Sequence, residues 1–328
     1  MTRITSRRAL LAGAAALAAL HATPTLAQVA FPNRPVKLVV PFATGGASDT
    51  FARVVGQALS ERLGQPFVVE NRSGAGGTVA APLVAKSPPD GYTLFVGDIG
   101  THGIASSLYP KLGYDAVKDF VPISYSVASV LVVVVTPSMA AKDMRSFIAE
   151  AKSKPGKIDY ASSGAGGISH LAVEMLKNQT GAYMVHVPYK GGAPALTDVM
   201  GGQVQMMMPS VSTSLQHIRS GRLRALAVAA GKRSSVLPDV PTMREGGLRD
   251  YVVEPWIGIM APAGTPKSVT DLLDREFAAV LALPGVKEKL SAQGFEVIGG
   301  NGEMLGKVIK ADVERWGPIV KKSGAVVE

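Results

Sequence analysis

One local pattern occurs twice in this chain and constrains its fold more than any other feature: a short β-rich run, a glycine-rich loop, then a helix start. In the first copy, Val36-Lys37-Leu38-Val39-Val40 leads through Pro41 and the polar residues up to Ser48 into residues 49–63. There Phe51, Val54, Val55, Ala58 and Leu59 recur at helical spacing, and Gly64 ends the run. In the second copy, Ile158-Asp159-Tyr160-Ala161 leads through Gly164-Ala165-Gly166-Gly167 into a helix over residues 169–179. Further strands are expected at 67–70, 92–96, 130–135, 183–187, 203–208, 223–228 and 257–260. Helices are expected at 77–85, at 146–153, after Pro194 as far as Gly201, at 267–283 and at 304–322, with a short element before the last. Alternation of this kind predicts an α/β fold with mostly parallel sheets and right-handed crossovers. A chain of 328 residues is too long for one simple core, so two lobes are expected.

The first 27 residues read as an export signal. Arg7-Arg8 precedes an apolar run from Ala9 to Leu20, Pro24 interrupts it, and Thr25-Leu26-Ala27 offers small residues at a cleavage site. The paired arginines favour the Tat machinery, which exports folded proteins. The apolar run is too short for a transmembrane anchor, which needs about 20 residues. With no cysteine, the chain has neither disulfides nor a lipid-anchoring thiol, so a Gram-negative periplasm is the expected compartment.

Charge and motifs exclude several functions. The net charge is +9, of which Arg3, Arg7 and Arg8 of the signal supply three. The remaining excess is mild and scattered, enough to steer small anions but unlike a nucleic-acid footprint. Neither loop carries the lysine of a phosphate-binding P-loop. Asn71-Arg72-Ser73-Gly74-Ala75-Gly76-Gly77 has dinucleotide-like glycine spacing, but the acid expected downstream, Asp90, sits in a Pro-Pro-Asp-Gly turn. No two histidines outside the signal have metal-pair spacing, and no nucleophile elbow occurs. Met206-Met207-Met208 reads as a buried strand. Asp49 or Ser48 is placed to cap the first helix. His170 and His102 each follow a strand-end loop, where a ligand contact and a structural role are both open, while His186 lies within a strand and reads as structural. If the two glycine loops face each other, backbone N–H groups and helix N-termini line both walls of a cleft suited to carboxylate or phosphate.

An ordered set of motifs resembles the Bug family, the TctC-like receptors of tripartite tricarboxylate transporters. It runs from Phe31-Pro32 and Val39-Val40-Pro41-Phe42-Ala43-Thr44-Gly45-Gly46-Ala47-Ser48-Asp49 through Val69-Glu70-Asn71-Arg72-Ser73-Gly74 and Pro89-Asp90-Gly91-Tyr92. Tyr160-Ala161-Ser162-Ser163-Gly164 with His170-Leu171-Ala172, then His186-Val187-Pro188-Tyr189-Lys190-Gly191, follow in order. Trp256 with Ala261-Pro262-Ala263-Gly264-Thr265-Pro266 completes it. The resemblance implies a two-lobed Venus-flytrap receptor, with residues 28–129 and 255–328 in lobe one and 130–254 in lobe two. It implies that a small organic carboxylate is gripped by two loops, partly through ordered water. One loop holds Phe42, Ala43, Thr44, Gly45, Gly46, Ser48 and Asp49, and the other holds Ser162, Ser163, Gly164, Gly166, Gly167 and His170. Tyr189, Lys190, Gly191, Thr101 and His102 would line the rest. Delivery to a two-subunit membrane permease by a monomer follows, with no cofactor, metal or nucleic acid. Thr44 and Gly103-Ile104-Ala105 depart from the common family pattern, which bears on ligand choice. Two other readings remain: a periplasmic hydrolase or isomerase using His170 with Ser162 or Ser163, and a ligand sensor for a membrane kinase.

Overall fold

Eleven strands among the described residues build two sheets. A computed structural model describes residues 31–323 and 325, so the export signal assigned to residues 1–27 lies outside the described residues. From Arg34 onward the chain forms one compact unit. In the first sheet are β1 (Val36–Val40), β2 (Phe67–Asn71), β3 (Thr93–Asp98), β4 (Phe120–Ser129), β10 (Trp256–Pro262) and β11 (Phe295–Asn301). The second holds β5 (Val132–Val135), β6 (Asp159–Ser162), β7 (Val185–Pro188), β8 (Met206–Met207) and β9 (Arg224–Val228). The orders are β11-β4-β10-β3-β1-β2 and β7-β6-β8-β5-β9. Helices α1 (Ala47–Leu63), α2 (Ala80–Ala85), α3 (Ala105–Leu108), α4 (Met144–Ser153), α5 (Ile168–Thr180), α6 (Gly192–Met200) and α7 (Val211–Arg219) punctuate the strands. After β10 come α8 (Lys267–Ala282), α9 (Pro284–Ala292) and, beyond β11, α10 (Gly302–Ser323). The architecture is a two-lobed α/β fold, one sheet to each lobe.

The sheets are mixed, which corrects the expectation of mostly parallel ones. β1 runs parallel to β2 and β3, and β6 to β7 and β8. The pairs β3–β10, β4–β10, β4–β11, β5–β8 and β5–β9 are antiparallel. The cause is the route of the chain. β4 carries it out of the first sheet and β10 brings it back from the second lobe, entering between β3 and β4 in the opposite sense. The two crossings lie side by side, with the Ser129 N–H donating to Pro255 O at 2.6 Å. On the second-lobe side the Val253 N–H donates to Ala229 O and the Ala229 N–H to Leu131 O, both at 2.8 Å.

β4 is a strand that sequence reading does not assign. Val121, Ile123, Tyr125 and Val127 alternate along it, but Pro122 and the serines between them weaken the apolar signal. Ser124 and Ser126 are fully buried and satisfy each other at 2.9 Å, so the strand is enclosed on both faces despite its polarity. The strand expected over 203–208 shrinks to Met206–Met207, fully buried beside Met208.

α10 is docked by a buried polar bond. The Trp256 indole N–H donates to Asp312 Oδ2 at 2.6 Å, with both residues almost fully enclosed. Replacing Trp256 by phenylalanine keeps most of the ring but strips a donor from a buried carboxylate. Urea unfolding is expected to show a loss of about 2–3 kcal/mol; an unchanged midpoint would mean the bond carries no weight.

Candidate functional site

The loop after β1 is tied down by a single acid. Gly45 takes a left-handed conformation, φ 83°, open to glycine without strain, and Gly46 caps α1. Asp49, on the first turn of α1, reaches back to accept the Gly45 N–H at 2.9 Å. It also accepts both Arg53 donors at 2.9 Å and the Asn71 amide at 3.0 Å. Asn71 in turn donates to Phe42 O at 3.0 Å, and Thr44 donates to Asn71 Oδ1 at 3.3 Å. Burial alone would raise the Asp49 carboxyl, but the Arg53, Gly45 and Asn71 hydrogen bonds outweigh it and hold it below the ordinary value. Asp49 and Ser48 are buried, whereas Ala43, Thr44 and Gly45 are exposed and Phe42 partly so. The surface of this loop is therefore backbone and small side chains, above the first-turn N–H groups of α1 that lack helical acceptors.

The loop after β6 is built in the same way with different residues. Gly167 caps α5. Ser169 Oγ accepts the Ser163 N–H at 3.1 Å and shares a hydrogen bond with Ser163 Oγ at 3.0 Å. His170 Nδ1 accepts the Gly166 N–H at 3.0 Å. Ser162 Oγ pairs with His186 Nε2 at 2.7 Å and donates to Gly164 O at 3.0 Å. The two imidazoles stack face to face, 3.8 Å apart and 6° from parallel, so they clasp the loop near both ends. Tyr160 continues the stack and donates to Glu174 at 2.5 Å, and Lys177 donates to the same carboxylate at 2.6 Å. Ser163 is exposed; Ser162, Gly166 and His170 are buried.

Contacts join these loops to the remaining candidates. The Tyr189 N–H donates to Ser162 O at 3.0 Å, and a Cβ on Gly164 would lie 3.7 Å from Tyr189 O. Tyr189 OH is held by Asp198 at 2.6 Å; Lys190 is exposed and Gly191 caps α6. On the first lobe, a Cβ on Gly77 would meet Thr101 at 2.6 Å, Pro41 at 3.0 Å and Phe42 at 3.6 Å. Thr101 and His102 are fully buried. His102 packs among Phe95, Tyr114 and Phe120, with Nδ1 at 3.0 Å from Thr101 Oγ1 and no partner for Nε2. Both side chains therefore lie in the core of the first lobe. Arg53, Asn71 and His186 belong to the same constellation but stand outside the loops read from the sequence, and Ser169 lies within the second loop without being singled out there. The Asp49–Arg53 spacing, one helical turn, was the available signal for Arg53.

Nucleophilic chemistry is poorly served here. His170 spends Nδ1 on Gly166, so it is no base for Ser162 or Ser163. Ser162 does face His186, but its side chain is completely enclosed, where no substrate carbonyl reaches it.

The chain matches the family model described as the tripartite tricarboxylate transporter family receptor over residues 51–325. It is similar to Protein BugT of Bordetella pertussis, 38% identical over 296 residues, covering 90% of this chain and 91% of that protein. Among solved structures it resembles R. palustris Rpa4515 with adipate, at 36% identity and TM-score 0.88, covering 90% of this chain and 99% of that one. It also resembles MatC from Rhodopseudomonas palustris with bound malate, at 36% identity and TM-score 0.83, covering 88% and 100%.

Proposed function

Since this chain belongs to the tripartite tricarboxylate transporter receptor family, we propose that it captures a small organic carboxylate between its lobes and delivers it to a two-subunit membrane permease. The family's members are solute receptors rather than enzymes. In this reading lobe one comprises residues 28–129 and 255–328, lobe two comprises 130–254, and the protein works in the periplasm as a monomer after Tat export and cleavage near Ala27. No helix of the described residues is long and apolar enough to cross a membrane.

One observation carries the reading. Each lobe presents a glycine-rich loop at a strand end, braced from behind by its own hydrogen-bond network and leading into a helix N-terminus. Such loops offer pre-formed N–H donors with partial positive charge, which favours carboxylate oxygens without chemistry. Phe42 to Asp49 and Ser162 to His170 form the grip, with Tyr189, Lys190 and Gly191 completing the rim. The adipate and malate held by two relatives support a dicarboxylate.

The test is a thermal-shift and calorimetry panel of adipate, malate and other acids against their neutral amides, after denaturing and refolding to strip any resident ligand. An acid at a hundred times its Kd is expected to add about 2.7 kcal/mol of stability, and its amide nothing. Folded, stripped protein that shifts with no acid would overturn the reading.

A further inference from the structure

We infer that Leu108 seats lobe one in the ligand loop of lobe two, and that Gly166 is its socket. Gly166 is buried and left-handed, φ 73°. A Cβ built on it would lie 1.8 Å from Leu108 Cδ2 and 2.9 Å from Leu108 Cγ. The leucine methyl thus fills the volume that any other side chain at position 166 would need. The socket is itself held, because the Gly166 N–H is bonded to His170 Nδ1. Leu108 ends the four-residue α3 and is 7% exposed. Its neighbour Tyr109 donates to Ala75 O at 2.7 Å, and a Cβ on Gly76 would lie 2.9 Å from the Tyr109 hydroxyl. Two consecutive residues therefore engage a glycine loop on each lobe, one by a methyl group and one by a hydroxyl. Closure brings both ligand loops to their working positions only when the leucine is seated, so carboxylate affinity depends on a contact that need not touch the ligand. This deepens the proposed receptor reading and rests on it.

Complementation tests the fit, with adipate and malate as probes by calorimetry and small-angle scattering as the report of closure. Gly166→Ala is expected to weaken binding at least about thirtyfold and to leave the lobes apart. Leu108→Ala is expected to weaken it only a few-fold, through a looser fit. The double variant should return to within a few-fold of Leu108→Ala, because the clash is gone. Strain from alanine at a positive φ would persist in the double variant, so failure of rescue overturns the inference. Leu108→Phe, which overfills the socket without touching position 166, is expected to match the loss in Gly166→Ala; wild-type affinity in that variant also overturns it. If the wild type binds neither acid, the dicarboxylate reading fails instead. Scattering from the ligand-free set still decides the socket, through a wild type more compact than Gly166→Ala or one no different from it.

Discussion

With alanine in place of Asp49, dicarboxylate affinity is expected to fall at least about a hundredfold, roughly 2.7 kcal/mol of binding free energy. Asp49 is 2% exposed, and its carboxylate accepts from the Gly45 N–H, the Asn71 amide and two Arg53 donors. Its removal leaves the Gly45 N–H and one of the two Asn71 amide N–H groups without an acceptor and releases the loop that presents Phe42, Ala43 and Thr44. The site would then have to order that loop on binding, and the cost comes out of affinity. The Arg53 side chain is about half exposed, so its ion pair alone is worth little. Arg53→Ala should therefore weaken binding by less than Asp49→Ala. Unfolding stability should fall by about 2–4 kcal/mol in Asp49→Ala, from the loss of its charged hydrogen bonds to Gly45, Asn71 and Arg53. Affinity unchanged by Asp49→Ala in a folded protein would show that the loop needs no tether and that the site lies elsewhere.

The loops themselves were legible in the sequence because glycine at a strand end has few other uses. Val36 to Val40 and Ile158 to Ala161 read as strands, and the helices behind them keep their period. What was not legible was each residue's partner. Asp49 was open to both a cap and a ligand contact, and its carboxylate turns inward to Gly45 and Arg53. His186 read as a structural strand residue, and nothing in sequence reports that it stacks on His170, sixteen positions away in the chain. The mixed sheets escape local pattern for a topological reason. Local pattern specifies that a run is extended, but the direction of β10 depends on which lobe the chain returns from. β4 escapes it too, because its buried serines pair with one another, which local apolar pattern does not register. The Leu108–Gly166 fit was likewise beyond sequence, since it joins two lobes whose closure no periodicity encodes.

The other large effect follows from two buried histidines, His102 and His170, and the half-buried His186. Burial pulls the His102 imidazole down to about 3 and, as the leading cause, His170 and His186 to about 4, with the Lys177 charge adding to both. His186 also feels the His170 ring stacked on it, while Glu174 pulls the other way. In the unfolded chain all three titrate near 6.5. Between these values the unfolded state binds protons that the folded state refuses, so stability is complete above about pH 6.5 and is lost as pH falls towards 4. Asp98 opposes this: burial raises its carboxyl to about 6, so the folded state takes up its proton first. Burial raises Asp274 and Asp312 too, which also opposes the loss, while the lowered carboxyls of Asp49, Glu70 and Glu245 add to it, so acidification remains net destabilising. At about 1.4 kcal/mol per unit, and with the partly exposed His186 discounted, urea unfolding at pH 4.5 should give about 3–5 kcal/mol less than at pH 7. His102→Leu should flatten that slope, and a wild-type profile flat from pH 7 to 4.5 would contradict the argument. Function draws on the same protons. His170 accepts the Gly166 N–H only while Nδ1 is unprotonated, and His186 packs against it at 3.8 Å. A proton on either ring sets a charge beside its neighbour, and one on His170 also unties the ligand loop. Ligand affinity should therefore begin to fall at a pH where most of the protein is still folded. A strong-acid analogue that stays ionised throughout, such as a disulfonate, separates this loss from protonation of the ligand itself.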